Sequence, residues 1–262
     1  MTRALLVLVV AAAHTTVALP TVTPWADWVV SYRKKHDCGG QVQVKDRLSQ
    51  SLYALARQAK NVLEVGAWRG CGSTLIIAKG LIDGGGTGTL QTLEVNQERA
   101  AEAAAMTRPL RVVNVSAAPA SRADEILSQA EVKSGKLPPK MTAAGRPDYL
   151  KWWHGEHLEA KKLERLGIKP PIEGLCARFP IDVAFLDGGE FFGAGDLHTV
   201  LRHCPQLRYI ALDDTQTFKN NKPLQELSAT GSGWQVCVED KLERHGWAVV
   251  AREGPGACAV LH

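Results

Sequence analysis

The stretch that decides the fold is Asn61-Val-Leu-Glu-Val-Gly66-Ala-Trp-Arg-Gly70-Cys-Gly72-Ser73. Residues 62–65 form a short apolar run that ends in glycine, the pattern of a parallel strand buried on both faces. Residues 73–81 follow as a helix, with Ser73 as its N-cap. Between them, glycines allow positive φ and close approach of the backbone to a ligand, and the helix N-terminus presents free N–H groups. A dinucleotide site would carry GxGxxG. The spacing here is GxxxGxG, which disfavours a pyrophosphate and suits an amino-acid or ribosyl group.

Working outward, strand and helix patterns alternate. Helices are expected over residues 25–32, 47–60, 97–106, 121–130, 147–165 and 234–244. Strands are expected over 89–95, 112–115, 182–186, 209–212, 247–251 and 258–261. Such alternation implies a parallel sheet in layers, and the closing strand–turn–strand implies an antiparallel pair at its edge. Residues 19–60 read as an N-terminal helical segment, 61–262 as the main domain, and 131–180 as a helical insert.

The 262 residues are 45% apolar and 22% charged, ordinary values for a globular chain that buries a substantial core. The formal charge is +4, and Arg33-Lys34-Lys35 and Lys161-Lys162 are short solvated faces. That balance disfavours nucleic acid as the main partner. The start differs in kind. Arg3 precedes an apolar run over residues 4–13, and small residues follow at Thr16 and Ala18. This is the layout of a secretory signal peptide, residues 1–18. Its apolar run is shorter than the roughly 20 residues of a membrane span, so no span is expected after cleavage. Six cysteines in a secretory chain permit disulfides, but no CxxC pair suggests zinc. Cys71, inside the glycine-rich turn, is expected to be free.

The chemistry sits at expected strand ends. Glu94 ends the second strand, 28 positions after Gly66, where a carboxylate can accept hydrogen bonds from both ribose hydroxyls. Phe185-Leu-Asp187-Gly-Gly-Glu190 and Ile210-Ala-Leu-Asp213-Asp214 are apolar strands that end in carboxylates. In an open parallel sheet the three aspartates converge where ligands bind. Together they need a positive partner, and Mg²⁺ suits an all-oxygen set. Glu190 is the candidate general base, with His154 and His157 as rivals on one helix face. Trp152 and Trp153 divide between core and pocket rim. Asn114-Val-Ser116 is a glycosylation sequon, expected to stay unmodified for lack of access.

These elements together resemble the catechol O-methyltransferase-like branch of the class I S-adenosylmethionine-dependent methyltransferases. The paired aspartates are also similar to those of macrocin-type sugar O-methyltransferases. The resemblance covers about residues 44–262 and implies a Rossmann-like three-layer α/β sandwich. Its mostly parallel seven-stranded sheet would have an antiparallel last strand. It implies that Glu64, Gly66, Ala67, Gly70, Gly72 and Ser73 surround the methionine part of the cofactor, and that Glu94, Val95, Ala117 and Asp187 complete the site. Asp187, Asp213 and Asp214 would hold Mg²⁺, and Asp187 would serve catalysis beside Glu190. The acceptor would be a small molecule or a glycan. The chain departs from the catechol enzymes in having Glu190 where they carry a lysine, Asp214 where they carry an asparagine, and the insert at 131–180. Two rival readings stand beside this one. One is a non-catalytic protein of the same fold, and the other is a metal-dependent nucleotide-sugar transferase, which the GxxxGxG turn disfavours.

Overall fold

The computed structural model describes residues 24–261, so the expected signal segment lies outside the described residues. Helices α1 (Pro24–Lys35) and α2 (Arg47–Gln58) precede β1 (Asn61–Val65). Then come α3 (Ser73–Asp83), β2 (Thr89–Glu94), α4 (Gln97–Thr107), β3 (Val113–Ala117), α5 (Gln129–Ser134), α6 (Arg146–Arg165) and α7 (Ile172–Arg178). The chain continues through β4 (Val183–Leu186), α8 (Gly193–His203), β5 (Tyr209–Asp213), α9 (Asn221–Leu227), β6 (Trp234–Asp240) and β7 (Trp247–Arg252). The seven strands order as β3-β2-β1-β4-β5-β7-β6. Only β7 runs against its neighbours, pairing antiparallel with both β5 and β6.

The strands are apolar on both faces because both faces are covered, and their side chains alternate between two cores. Val62, Val183, Phe185, Ala211, Trp247 and Val249 point into the layer formed with α1, α2 and α3. Leu63, Ala184, Leu186, Ile210, Leu212 and Val250 point into the other, with α7, α8 and α9. Each fully buried large aliphatic or phenyl side chain contributes about 1.5–3 kcal/mol, so two cores of this size fix the strand register. Glu64 breaks the apolar pattern of β1 yet is wholly buried on the α3 side.

Five expectations are corrected. Residues 234–244 begin as a strand, β6, because Trp234, Val236 and Val238 alternate and pair with β7. Residues 258–261 make a single 3₁₀ turn, since β5 and β6 already occupy both edges of β7. Residues 121–130 are not one helix. A 3₁₀ turn at Ala123–Glu125 gives way to extended chain, where the Leu127 amide donates to the Phe191 carbonyl (2.8 Å) before α5 begins. Cys71 is not free. It is bonded to Cys38, while Cys176 pairs with Cys204 and Cys237 with Cys258. Asn114 lies exposed on the edge strand β3, so the access argument against its modification fails. Among the described residues, no helix is long and apolar enough to cross a membrane.

Candidate active site

The strand order reverses direction between β1 and β4, and the crevice beyond their carboxyl ends is where such sheets bind ligands. The loops leaving these strands touch. Gly66 has φ +91°, and a Cβ on it would lie 2.1 Å from the Asp187 carbonyl oxygen. Only glycine meets both demands. A cavity of about 560 Å³ opens above this crossing, within the ~300–1,000 Å³ usual for small-molecule sites.

One wall holds Gly66, Trp68, Glu94 and Val95. Glu94 accepts from the Trp68 amide (2.8 Å) and the Asn96 amide (3.0 Å). Each carboxylate oxygen keeps lone pairs free for ribose hydroxyls. Burial raises its pKa, against those backbone donors and the Arg99 charge. Trp68 adopts φ +50° and stacks beneath the Arg99 guanidinium, 3.6 Å from the ring centroid. The adjoining wall is Ala118 to Ser121. Ala117 itself is exposed and lies outside that wall.

The rest of the turn supports the site without lining it. Glu64 does not face the cavity. It accepts from Ser73 Oγ (2.6 Å), Thr74 Oγ1 (2.8 Å) and Thr92 Oγ1 (2.9 Å). Burial pushes its pKa up to about 7 despite those hydroxyls. Ser73 is therefore a tether rather than an N-cap, and Gly72 takes the cap position. Ala67 is buried beneath the turn. Gly70 lets the turn close on α4, where a Cβ would lie 3.1 Å from Ala103 Cα.

The opposite wall holds Asp187 and Lys219, with Asp213 and Asp214 behind them. Asp187, Asp213 and Asp214 do converge, each offering one oxygen within 4.8 Å of the others. The positive charge among them comes from the protein. Lys219 Nζ lies 2.7 Å from both Asp187 Oδ1 and Asp214 Oδ2. Arg244 takes both oxygens of Asp213, at 3.2 and 2.6 Å. Burial lifts Asp187 to about 7, partly offset by Lys219. Burial and then Asp214 also raise Asp213. For Asp214 burial is outweighed by Lys219, Arg244 and His245, which hold its pKa down. Asp214 and Arg244 are left-handed at φ +55° and +57°, backbone strain of the sort that collects at functional sites. As a seat for Mg²⁺ the cluster is a poor fit, since every carboxylate already has a cationic partner and two share one ammonium. No step below is routed through a metal.

Glu190 lines the cavity, and its Oε1 is buried without a hydrogen-bond partner. Burial raises its pKa, with Lys219 opposing. Its loop is pinned by Glu156 of α6, which accepts from the Glu190 amide (2.8 Å) and the Phe191 amide (3.1 Å). Helix α6 thus turns Gly155, Glu156, Glu159 and Ala160 to the cavity. His154 is exposed and bonded to Gln129, so it is not at the site. His157 stacks on Trp153. Neither tryptophan lines the cavity: Trp153 donates to the Leu127 carbonyl and Trp152 is 53% exposed.

Lys219, Arg244 and Glu156 escape the sequence reading. Each acts from a loop or insert with no periodic signal. Only the need of three carboxylates for a cation pointed towards Lys219 and Arg244, and nothing in the sequence pointed to Glu156.

The strand order with a reversed β7, and a cavity beyond β1 and β4, define the class I S-adenosylmethionine-dependent methyltransferase fold. Solved structures agree. The O-methyltransferase from Bacillus cereus in complex with SAH superposes with a TM-score of 0.52 at 13% identity, covering 90% of this chain and 93% of its own. A Klebsiella pneumoniae protein assigned as an O-methyltransferase gives 0.51 at 15% identity, with the same coverage. At such identities the likeness is one of fold. No protein-family model matches the chain, and no curated protein matches it.

Proposed function

We propose that the chain is an S-adenosylmethionine-dependent methyltransferase that methylates an oxygen of a small-molecule or glycan acceptor. The observation that carries this reading is Glu94. Its carboxylate is held by two backbone amides at the end of β2 and faces the same cavity as Gly66 and Glu190. Glu94 would hold the ribose hydroxyls, Gly66 and Val95 the adjoining backbone face, and Ala118 to Ser121 the adenine side. The bound cofactor supplies an electrophilic methyl on a sulfonium.

The protein's part is alignment and proton handling. The cavity holds the acceptor oxygen in line with the methyl carbon. The carbon–oxygen bond formed would replace the cofactor's carbon–sulfur bond, whose electron pair would leave with the sulfur. The acceptor's hydroxyl proton would pass to Glu190, a cavity-lining carboxylate whose pKa burial raises above the ordinary value. Asp187 orients Lys219 beside it. Asp187, Asp213 and Asp214 could take a divalent ion only if Lys219 withdrew from between them.

The address proposed is the secretory lumen. The charged, apolar N-terminal pattern and three disulfides support it. Calorimetric titration with S-adenosylhomocysteine tests the reading. Saturable one-site binding, weakened at least about tenfold in Glu94→Ala, is expected, since a charged acceptor of two hydrogen bonds is lost. Absence of binding to the wild-type chain sinks the proposal.

A further inference from the structure

We propose that Lys219 is the resident cation of this site, and that its ammonium takes the place of a divalent metal so that methyl transfer proceeds without one. The inference rests on the methyl-transfer reading above and concerns what neutralises and orients the reacting oxygen.

The placement of Lys219 is built, not incidental. Its Nζ lies 2.7 Å from an oxygen of Asp187 and 2.7 Å from an oxygen of Asp214, bridging the ends of β4 and β5. The next residue, Asn220, is fully buried and donates to the Leu186 carbonyl (2.8 Å) and the Asp213 carbonyl (2.6 Å). One amide group thereby staples the two strand ends together and fixes the chain beside them. From the other side, α8 begins with Gly193, where a Cβ would lie 1.6 Å from the Lys219 carbonyl oxygen. Any side chain at position 193 would push Lys219 out of place.

The third carboxylate is also spoken for. Arg244 grips both oxygens of Asp213 and donates as well to the Gln41 carbonyl (2.7 Å). Three carboxylates thus meet two fixed positive charges. A small divalent ion sits roughly 2.0–2.1 Å from its oxygens. An ion bridging Asp187 and Asp214 would therefore fall on the ammonium itself, so ion and lysine exclude each other.

The lysine can do the work that remains. An ammonium carries three donors, and the two carboxylates engage two. Lys219 lines the cavity, which leaves its third N–H for an acceptor oxygen. There a fixed positive charge favours the developing alkoxide in a water-poor setting. The position also accounts for Glu190. With Lys219 reaching the cavity from the loop after β5, position 190 is left to carry a proton acceptor.

The test pairs metal titration with cofactor titration. Mn²⁺ binding is followed by water-proton relaxation, and S-adenosylhomocysteine binding by calorimetry in EDTA and in Mg²⁺. The wild-type chain should show no saturable Mn²⁺ site, and the same cofactor affinity in both buffers. Lys219→Ala should open the three-carboxylate pocket and gain a saturable Mn²⁺ site, with a Tm that rises on adding the ion. Saturable Mn²⁺ binding to wild type that disappears in Asp213→Asn overturns the proposal. So does a folded Lys219→Ala chain that takes up no Mn²⁺. The wild-type titration decides alone should that variant not fold. Failure of S-adenosylhomocysteine to bind wild type would instead strike the function proposed above, and is distinguishable because the Mn²⁺ measurement does not depend on it.

Discussion

Two groups of buried carboxylates lie within the same carboxyl edge of the sheet, and the protein keeps them in opposite ways. Glu64, under the glycine-rich turn, is surrounded by three neutral hydroxyls. Asp187, Asp213 and Asp214, across the crevice, are held by an ammonium and a guanidinium. Hydroxyls compensate a buried charge only in part, so Glu64 titrates near 7. The difference separates an acid that meets only neutral donors from a cluster whose acids each meet a fixed cation, although burial lifts Asp187 as far as Glu64 and only Asp214 is held below its ordinary value. Hydroxyl donors shape the turn, and fixed charges set the field.

The largest effect should come from Gly66→Ala, at the crossing between the two regions. A Cβ there meets the Asp187 carbonyl at 2.1 Å with φ at +91°, so the turn and the Asp187 loop must separate. We expect a loss on the order of 5 kcal/mol and no S-adenosylhomocysteine binding, read by urea denaturation and calorimetry. A stable, binding-competent variant would break the idea that the regions share one hinge of backbone. Next is Arg244→Ala, which strips the charge partner from a fully buried Asp213. The cost should be about 3 kcal/mol at pH 7 and should shrink on acidification as Asp213 takes up a proton. A pH-independent cost would show that packing, not charge, is what Arg244 supplies.

The smallest concerns Glu64→Gln. Folded Glu64 holds its proton to about 7, against 4.5 for the ordinary group. The folded state therefore binds more protons than the unfolded chain between those values, and stability falls as pH rises through that window. Glutamine removes this contribution. The variant should lose less stability than wild type between about pH 4.5 and 7, by roughly 2 kcal/mol, as seen in Tm profiles. The slope that remains would come from the other acids that burial raises, among them Asp187 and Asp196, each lifted to about 7. Identical profiles would mean that the hydroxyl cage leaves Glu64 ionised.

The same division governs what the sequence reveals. The turn is legible because β1, its glycines and α3 are contiguous, and a short apolar run ending in glycine has few other meanings. The convergence of Asp187, Asp213 and Asp214 is legible because parallel strands bring their carboxyl ends together. Their partners are not. Arg244 follows a strand whose Glu and Lys content resembles a helix, and Lys219 sits in a loop with no period. Glu64 reads as a ligand contact because its hydroxyl partners come from α3 and β2 at once. On α6, residue spacing brings His154 and His157 together but does not fix which face meets the sheet. Docking rotates the helix so that Glu156 faces inward instead.

The place of β7 has a consequence for how the molecule comes to exist. It is the last of the seven strands of this sheet to be made, yet it lies inside the sheet between β5 and β6. Until residue 252 is available, β5 keeps a bare edge, the kind of surface that recruits stray strands. Arg244 lies on the connection into β7 and arrives at the same moment. The nascent chain thus assembles its glycine-rich turn early but carries Asp213 without its partner until residue 244 is made, which makes the acidic half of the cleft a late checkpoint in the folding of this sheet.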